Sequence, residues 1–298
     1  MKWIKRGLIV VAVLVVLAAG ALFAGVQLAD QKMNRHLSVP AYALSLPTDA
    51  ASLERGKYLF SSRGCAECHG ANGAGHVFID SGGLRAKAPN ISTGAGSVTK
   101  SYSVADWERT IRHGIKPDGR PVFIMPSEDY NRLTDTDVAA LVAYASQLPP
   151  AEGSAAEFTL PLPVRVLYGF GAIPDAAARI DHALAPSKPV PTGVTVEHGA
   201  YVANMCIGCH GAGLSGGKIP GGPPDWPAAA NLTPGEGSVM GRYADVKAFA
   251  AMFKTGQRPD GAKVQVMPFE TLREMNDVDV QALHLFLKSL PAKAAGNR

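Results

Sequence analysis

The longest apolar run stands at the start of the chain. Leu8–Val26 is apolar throughout, Gln27 is the first strongly polar residue, and no charge occurs between Gly7 and Ala29. About 20 residues rising 1.5 Å each cross a hydrocarbon core, so residues 1–29 are expected to hold one membrane-spanning helix. Lys2, Lys5 and Arg6 precede the run, which keeps the N-terminus in the cytoplasm and exports the rest. A cleaved signal peptide is the alternative. Ala19-Gly20-Ala21 forms an A-x-A site, although the run continues past it through Leu22, Phe23 and Val26.

After the run the pattern changes. Residues 30–50 lack periodicity and carry Pro40 and Pro47, which predicts an extended tether. Helical spacing then appears in two matched sets. Leu53–Phe60 opens the first, and Glu197–Val202 opens the second; both contain Gly-x-Tyr (Gly56/Tyr58, Gly199/Tyr201). Glycine in a helix costs about 1 kcal/mol relative to alanine, so its recurrence predicts close backbone packing. Val104–His113 puts Trp107 and Ile111 on one face, and Ala244–Lys254 does the same with Phe249 and Phe253. The last helix of each set carries Val138, Leu141, Val142 and Ala145, or Val280, Leu283 and Leu287. Thr134 and Asn276 precede them as N-caps, with an acid three residues on. Each set ends in Leu-Pro.

The chain therefore holds two copies of one unit of about 100 residues. The boundaries read as 1–29, a tether at 30–50, a unit at 51–150, a connector at 151–191 and a unit at 192–298. Val164–Phe170 is the one stretch of the connector expected to pack. Helices joined by Gly-rich loops (Gly70 to Gly83, Gly211 to Gly222) predict an all-α fold.

The candidate chemistry lies at matched points of the repeat. Cys65-Ala66-Glu67-Cys68-His69 and Cys206-Ile207-Gly208-Cys209-His210 stand 141 residues apart, and they contain all four cysteines. C-x-x-C alone also suits half a zinc site or a thioredoxin-like pair. C-x-x-C-H is the attachment signature of c-type haem. Two thiols one helical turn apart add across the two vinyl groups of one porphyrin, and the adjacent histidine supplies the proximal nitrogen. The expected cofactors are two covalently bound haem c, held through Cys65, Cys68, Cys206 and Cys209, with His69 and His210 on iron.

The sixth iron position needs a second donor. Met125-Pro126 and Met267-Pro268 recur in one context, each after a Lys/Arg-Pro-Asp-Gly loop (Lys116–Gly119, Arg258–Gly261). Methionine sulfur is soft and raises the potential of haem iron, so Met125 and Met267 are the expected axial partners. Lys116, Arg258, Arg112 and Lys254 are candidates to neutralise haem propionates.

Composition adds two exclusions. With 29 basic and 25 acidic residues the net charge is +4 over 298 residues, and no basic stripe is visible, so no nucleic-acid partner is expected. No cysteine is spare for a disulfide or a cysteine axial ligand.

These motifs, in this order and spacing, resemble class I cytochrome c domains over residues 51–149 and 192–294. Behind an N-terminal anchor, the chain is similar to membrane-bound dihaem cytochromes c and to the cytochrome subunits of membrane dehydrogenases for alcohols, gluconate or aldehydes. It departs from the three-haem subunits in having two haem motifs. The resemblance implies two helical domains, His/Met ligation and one-electron transfer. The expected protein is an electron carrier, not an enzyme alone, on the periplasmic side of a bacterial inner membrane. It would take electrons from a dehydrogenase or quinol-oxidising complex and pass them to a terminal oxidase or soluble cytochrome. The alternatives are a dihaem enzyme of the cytochrome c peroxidase kind and a haem-based sensor, each with one open distal site.

Overall fold

A computed structural model describes residues 2–40, 42, 44–223 and 225–296. Helix α1 (Lys2–Met33) is long and apolar enough to cross a membrane, and residues 2–24 are exposed throughout. It runs four residues past the boundary expected at 29. Its last turns have partners that sequence alone did not supply: Gly25 and Ala29 are buried there.

The first unit follows as α2 (Ala50–Ser62), α3 (Cys65–His69), strands β1 (Val77–Ser81) and β2 (Leu84–Lys87), α4 (Val104–His113), α5 (Ser127–Tyr130) and α6 (Asp135–Ala145). The connector supplies β3 (Glu157–Thr159) and α7 (Leu162–Gly169). The second stretch holds α8 (Val196–Val202), α9 (Ile207–His210), α10 (Val246–Thr255), α11 (Phe269–Leu272) and α12 (Asp277–Ser289). The helices thus recur in one order, and among the described residues the strands occur in the first unit and the connector but not in the second stretch.

The strands correct the all-α expectation. β1, β2 and β3 form a small antiparallel sheet in that order. The signal was present in the loop after His69. Val77, Phe78 and Ile79 are strand formers, and Gly82-Gly83 joins the pair with φ of 58° and 79°. Positive φ at both central residues is what a tight hairpin turn needs. β3 pairs Phe158 with Ala86 and so ties the connector to the first unit.

Both glycine expectations hold. A Cβ on Gly56 would stand 2.1 Å from the Ala140 carbonyl oxygen, and one on Gly199 would stand 2.0 Å from that of Ala282. Only a bare α-carbon lets α2 lie on α6, and α8 on α12. Both caps are also present: Thr134 accepts from the Asp137 N–H, and Asn276 from that of Asp279. Two cores result. Leu59, Phe60, Trp107, Ile111, Val138 and Leu141 belong to one. Phe249, Phe253, Val280, Leu283, Leu287 and Met275 belong to the other.

The two stretches dock through a paired polar contact. Tyr58 donates its hydroxyl to Asp279 (2.7 Å), and Tyr201 donates to Asp137 (2.6 Å). Each tyrosine oxygen in turn accepts an N–H at the start of the opposite last helix, from Asn276 or Thr134. Asp137 also binds Arg55, whereas Asp279 binds Arg63 (2.9 Å) and His198 (2.8 Å). Arg63 and Asp279 are both buried.

Candidate haem sites

Gly64, at φ 87°, turns the chain out of α2 and into α3, and Gly70 at φ 75° ends α3 after His69. This single turn sets Cys65, Cys68 and His69 around one cavity of about 620 Å³. The volume lies within the range of cofactor pockets. Phe60, Trp107, Ile111 and Leu141 form apolar walls, and Met125 lines the same space. Trp107, on the apolar face it shares with Ile111, belongs both to the core and to the cavity wall.

The histidine is oriented from behind. His69 Nδ1 lies 3.0 Å from the Pro89 carbonyl oxygen. A carbonyl only accepts, so Nδ1 carries the proton and Nε2 keeps a lone pair for a metal. Burial lowers the pKa of His69 and favours that neutral form. Asn90 then fixes the carbonyl-bearing loop. Its amide donates to Ala95 O and Ala151 O (both 2.9 Å) and its oxygen accepts from the Ser92 N–H.

The second stretch repeats this arrangement contact for contact. His210 Nδ1 donates to Ala230 O at 2.8 Å. Asn231 donates to Glu236 O (3.0 Å) and Lys293 O (2.8 Å) and accepts from the Thr233 N–H. The proximal carbonyl belongs to proline in one copy and alanine in the other, so the backbone does the work. Met267 and Cys206 pack against one core, beside Phe249 and Phe253.

The distal loops match as well. Lys116 N donates to Arg120 O and Val122 N to Gly114 O; Arg258 N donates to Ala262 O and Val264 N to Gly256 O. Ser127 N and Phe269 N donate to Met125 O and Met267 O. Each loop folds back on itself and fixes its methionine.

Two expectations about charge need correcting. Arg112 is buried and binds Glu108, Asp135 and Leu133 O. Lys254 binds Arg273 O and Met275 O. Both brace the chain ahead of the last helix, which accounts for their recurrence without a propionate. Lys116 does line the cavity, with Arg120 beside it.

The donor set fits a covalent haem. Burial pushes the Cys65 thiol up to about 12, with Cys68 adding to it, and pushes Cys68 up to about 11. Burial likewise holds Cys206 up at about 12. Desolvation disfavours a thiolate at these three positions, and a thioether carries no charge to desolvate.

The cytochrome c family profile matches residues 53–149. Residues 53–149 are a cytochrome c domain. Such a domain implies covalently bound haem c, and the cavity beside Cys65, Cys68 and His69 lies within it. The chain is 30% identical to the fructose dehydrogenase cytochrome subunit of Gluconobacter japonicus, over 83% of this chain and 55% of that protein. It is 26% identical to the alcohol dehydrogenase (quinone) cytochrome c subunit of Gluconobacter oxydans, over 83% and 56%. A diheme cytochrome c-type protein of Cereibacter sphaeroides is 27% identical over 80% of this chain and 86% of that protein. The chain thus spans about half the length of the dehydrogenase subunits it matches. Two of these relatives are cytochrome subunits of dehydrogenases, and the third is a diheme cytochrome.

The sequence identified the motif residues but not the docking residues. His198 is buried on Asp279. His113 meets His182 of the connector, with their Nδ1 atoms 3.0 Å apart. The signal that was available was Gly-x-Tyr, whose tyrosine recurs without any need in its own core.

Proposed function

We propose that the chain is a membrane-anchored dihaem cytochrome c that passes single electrons, as the carrier subunit of a membrane dehydrogenase or a close functional counterpart. Two tandem domains, at about 51–150 and 192–298, each hold one haem. Cys65 and Cys68 bind the first and Cys206 and Cys209 the second. His69 with Met125, and His210 with Met267, are the axial pairs. The haem domains sit in the periplasm behind α1, between a dehydrogenase donor and a respiratory acceptor such as a terminal oxidase or soluble cytochrome.

The observation that carries this reading is the matched proximal network. A histidine Nδ1–H held by a backbone carbonyl, on a loop clamped by a buried asparagine, recurs at His69–Pro89–Asn90 and His210–Ala230–Asn231. Nothing in a second, haem-free unit would require it. When bound, haem supplies one-electron redox chemistry. The chain orients the proximal nitrogen, offers thioether sulfur, supplies a soft distal donor and excludes water with an apolar wall.

Haem content by alkaline pyridine haemochrome, set against protein mass, tests this directly. Two haems per chain are expected, and Cys206→Ala/Cys209→Ala should leave one. One haem in the unsubstituted chain would overturn the dihaem reading. Carbon monoxide should leave the reduced spectrum unchanged; stoichiometric binding would open a distal site and favour the peroxidase or sensor alternative.

A further inference from the structure

We propose that the connector helix α7 is a second membrane element, lying in the outer leaflet surface against α1 and presenting Leu167 and Phe170 to lipid. The proposal rests on α1 crossing the membrane.

The first observation is where α7 docks. A Cβ built on Gly25 would meet Val166 Cγ1 at 2.9 Å and Phe170 Cε2 at 3.0 Å, and one built on Gly169 would meet the Gly25 carbonyl oxygen at 2.0 Å. Two helices touch backbone to backbone here, as small residues allow inside lipid. Gly25 lies within the apolar run. If the hydrocarbon core begins near Leu8, about 20 residues carry it to Gln27. The contact therefore falls inside the core edge by about one turn or less.

The second observation is what α7 leaves uncovered. Leu162, Leu167 and Phe170 are 51%, 46% and 55% exposed. Large apolar side chains clustered in this way are unusual on a surface that faces water. The neighbouring part of α1 is alike, with Phe23 68% and Leu28 38% exposed. The apolar face of α7 thus continues that of the spanning helix.

The third observation is the polar layer that ends this face. Arg165 pairs with Asp30 at 2.5 Å. Lys32 Nζ donates to Tyr168 O at 3.0 Å. Arg35 binds Asp175 through two contacts of 2.6 Å. All of these lie past the apolar run, at the height where headgroups and water replace hydrocarbon. An amphipathic segment in the interface plane has this make-up.

The consequence is orientation. The cavity next to His69 is also lined by Met33, Asn34, Phe158 and Tyr168. Two points of attachment would hold that side of the cytochrome c domain toward the membrane, where a single helix on a tether would let it turn.

The test is site-directed spin labelling of the full haem-loaded chain in vesicles of phosphatidylethanolamine and phosphatidylglycerol. Leu162→Cys, Leu167→Cys and Phe170→Cys are labelled one at a time, with the unsubstituted chain as blank and the haem spectrum as fold check. Phe23→Cys reports the span, and Leu285→Cys, 41% exposed on α12, reports water. Labels at 162, 167 and 170 should collide with oxygen several-fold more readily than with a water-soluble nickel chelate, as at 23, with the opposite order at 285. If 23 is in lipid while 167 and 170 behave like 285, or are shielded from both reagents by protein, the proposal is overturned and the anchor stands. If 23 itself is in water, the anchor reading and this proposal fall together.

Discussion

The two halves of the molecule share a backbone plan and differ in where they place charge. In both, a glycine seats the first helix on the last, and the tyrosine two residues later crosses to the other half's N-capped aspartate. The residue before the glycine is Arg55 in one half and His198 in the other, and each binds its own half's aspartate. Asp137 receives a bidentate guanidinium from its own half. Asp279 receives its full charge partner, Arg63, from across the interface. The contacts beside the attachment motifs show the same trade. Glu67, inside the first motif, accepts from Thr271 of α11. At the matching place in the second motif stands Gly208, and Asp129 of α5 faces it. Each contact holds one carboxylate, supplied from opposite sides. Two facing carboxylates in one buried contact would repel. A repeat that docks on itself therefore gains from divergence at contact positions even where its geometry is kept.

The largest test of that difference is Arg63→Met against Arg55→Met. Arg63 and Asp279 have side chains 4% and 0% exposed, while Arg55 is 23% exposed. Removing one partner of a buried pair costs about 3–5 kcal/mol because the other charge stays behind. Arg63→Met should reach that range by urea unfolding followed in the far-ultraviolet. Arg55→Met should cost clearly less, since water reaches its site. Equal losses would mean the two aspartates are equivalent after all.

Gly56→Ala and Gly199→Ala come next, and here the halves should agree. A methyl 2.0–2.1 Å from a carbonyl oxygen must push two helices apart, and overpacking of this kind costs roughly 1–3 kcal/mol. A loss confined to one variant would show that the second helix pair does not pack as the first does.

The contrast also explains how far the sequence could be read. Cys65, Cys68 and His69, which the structure sets around one cavity, could be read as one group because their spacing is local, and local spacing is what a sequence displays. The caps at Thr134 and Asn276 were legible for the same reason. The docking was not. Tyr58 and Asp279 lie 221 residues apart, and no periodicity links them. The β1–β2 hairpin was missed because Gly82-Gly83 stood in a glycine-rich stretch that also reads as loop. α7 was seen only as something that packs, since its partner lies more than 130 residues earlier.

Acid sharpens the comparison further. Burial works to raise Asp137 and Asp279, yet Arg55 in one case, and Arg63 with hydrogen bonds from Tyr58 and His198 in the other, outweigh it and leave both below the usual carboxylate range. A carboxyl held below its unfolded value, near 3.9, contributes stability at every pH above that value. The contribution drains away as pH falls through the folded value. Stability followed from pH 7 down to below 4 should therefore decline. Asp279→Asn should flatten that decline while lowering stability at pH 7. A variant that keeps the full acid slope would remove Asp279 from the account.

The smallest effect separates geometry from charge. Tyr58→Phe and Tyr201→Phe each delete one hydroxyl that donates to an aspartate and accepts one backbone N–H. Hydrogen bonds to charged groups contribute about 1.5–3 kcal/mol, and each aspartate keeps its cation, so losses near the lower end are expected. Since the tyrosines belong to the shared plan, the two losses should match within error, unlike those of the arginines. The double variant discriminates further. Additive losses would mean that the two tyrosine contacts act independently. A double loss smaller than the sum would mean that the first deletion already loosens the interface, so that the halves separate as one step and the paired contact is a single lock.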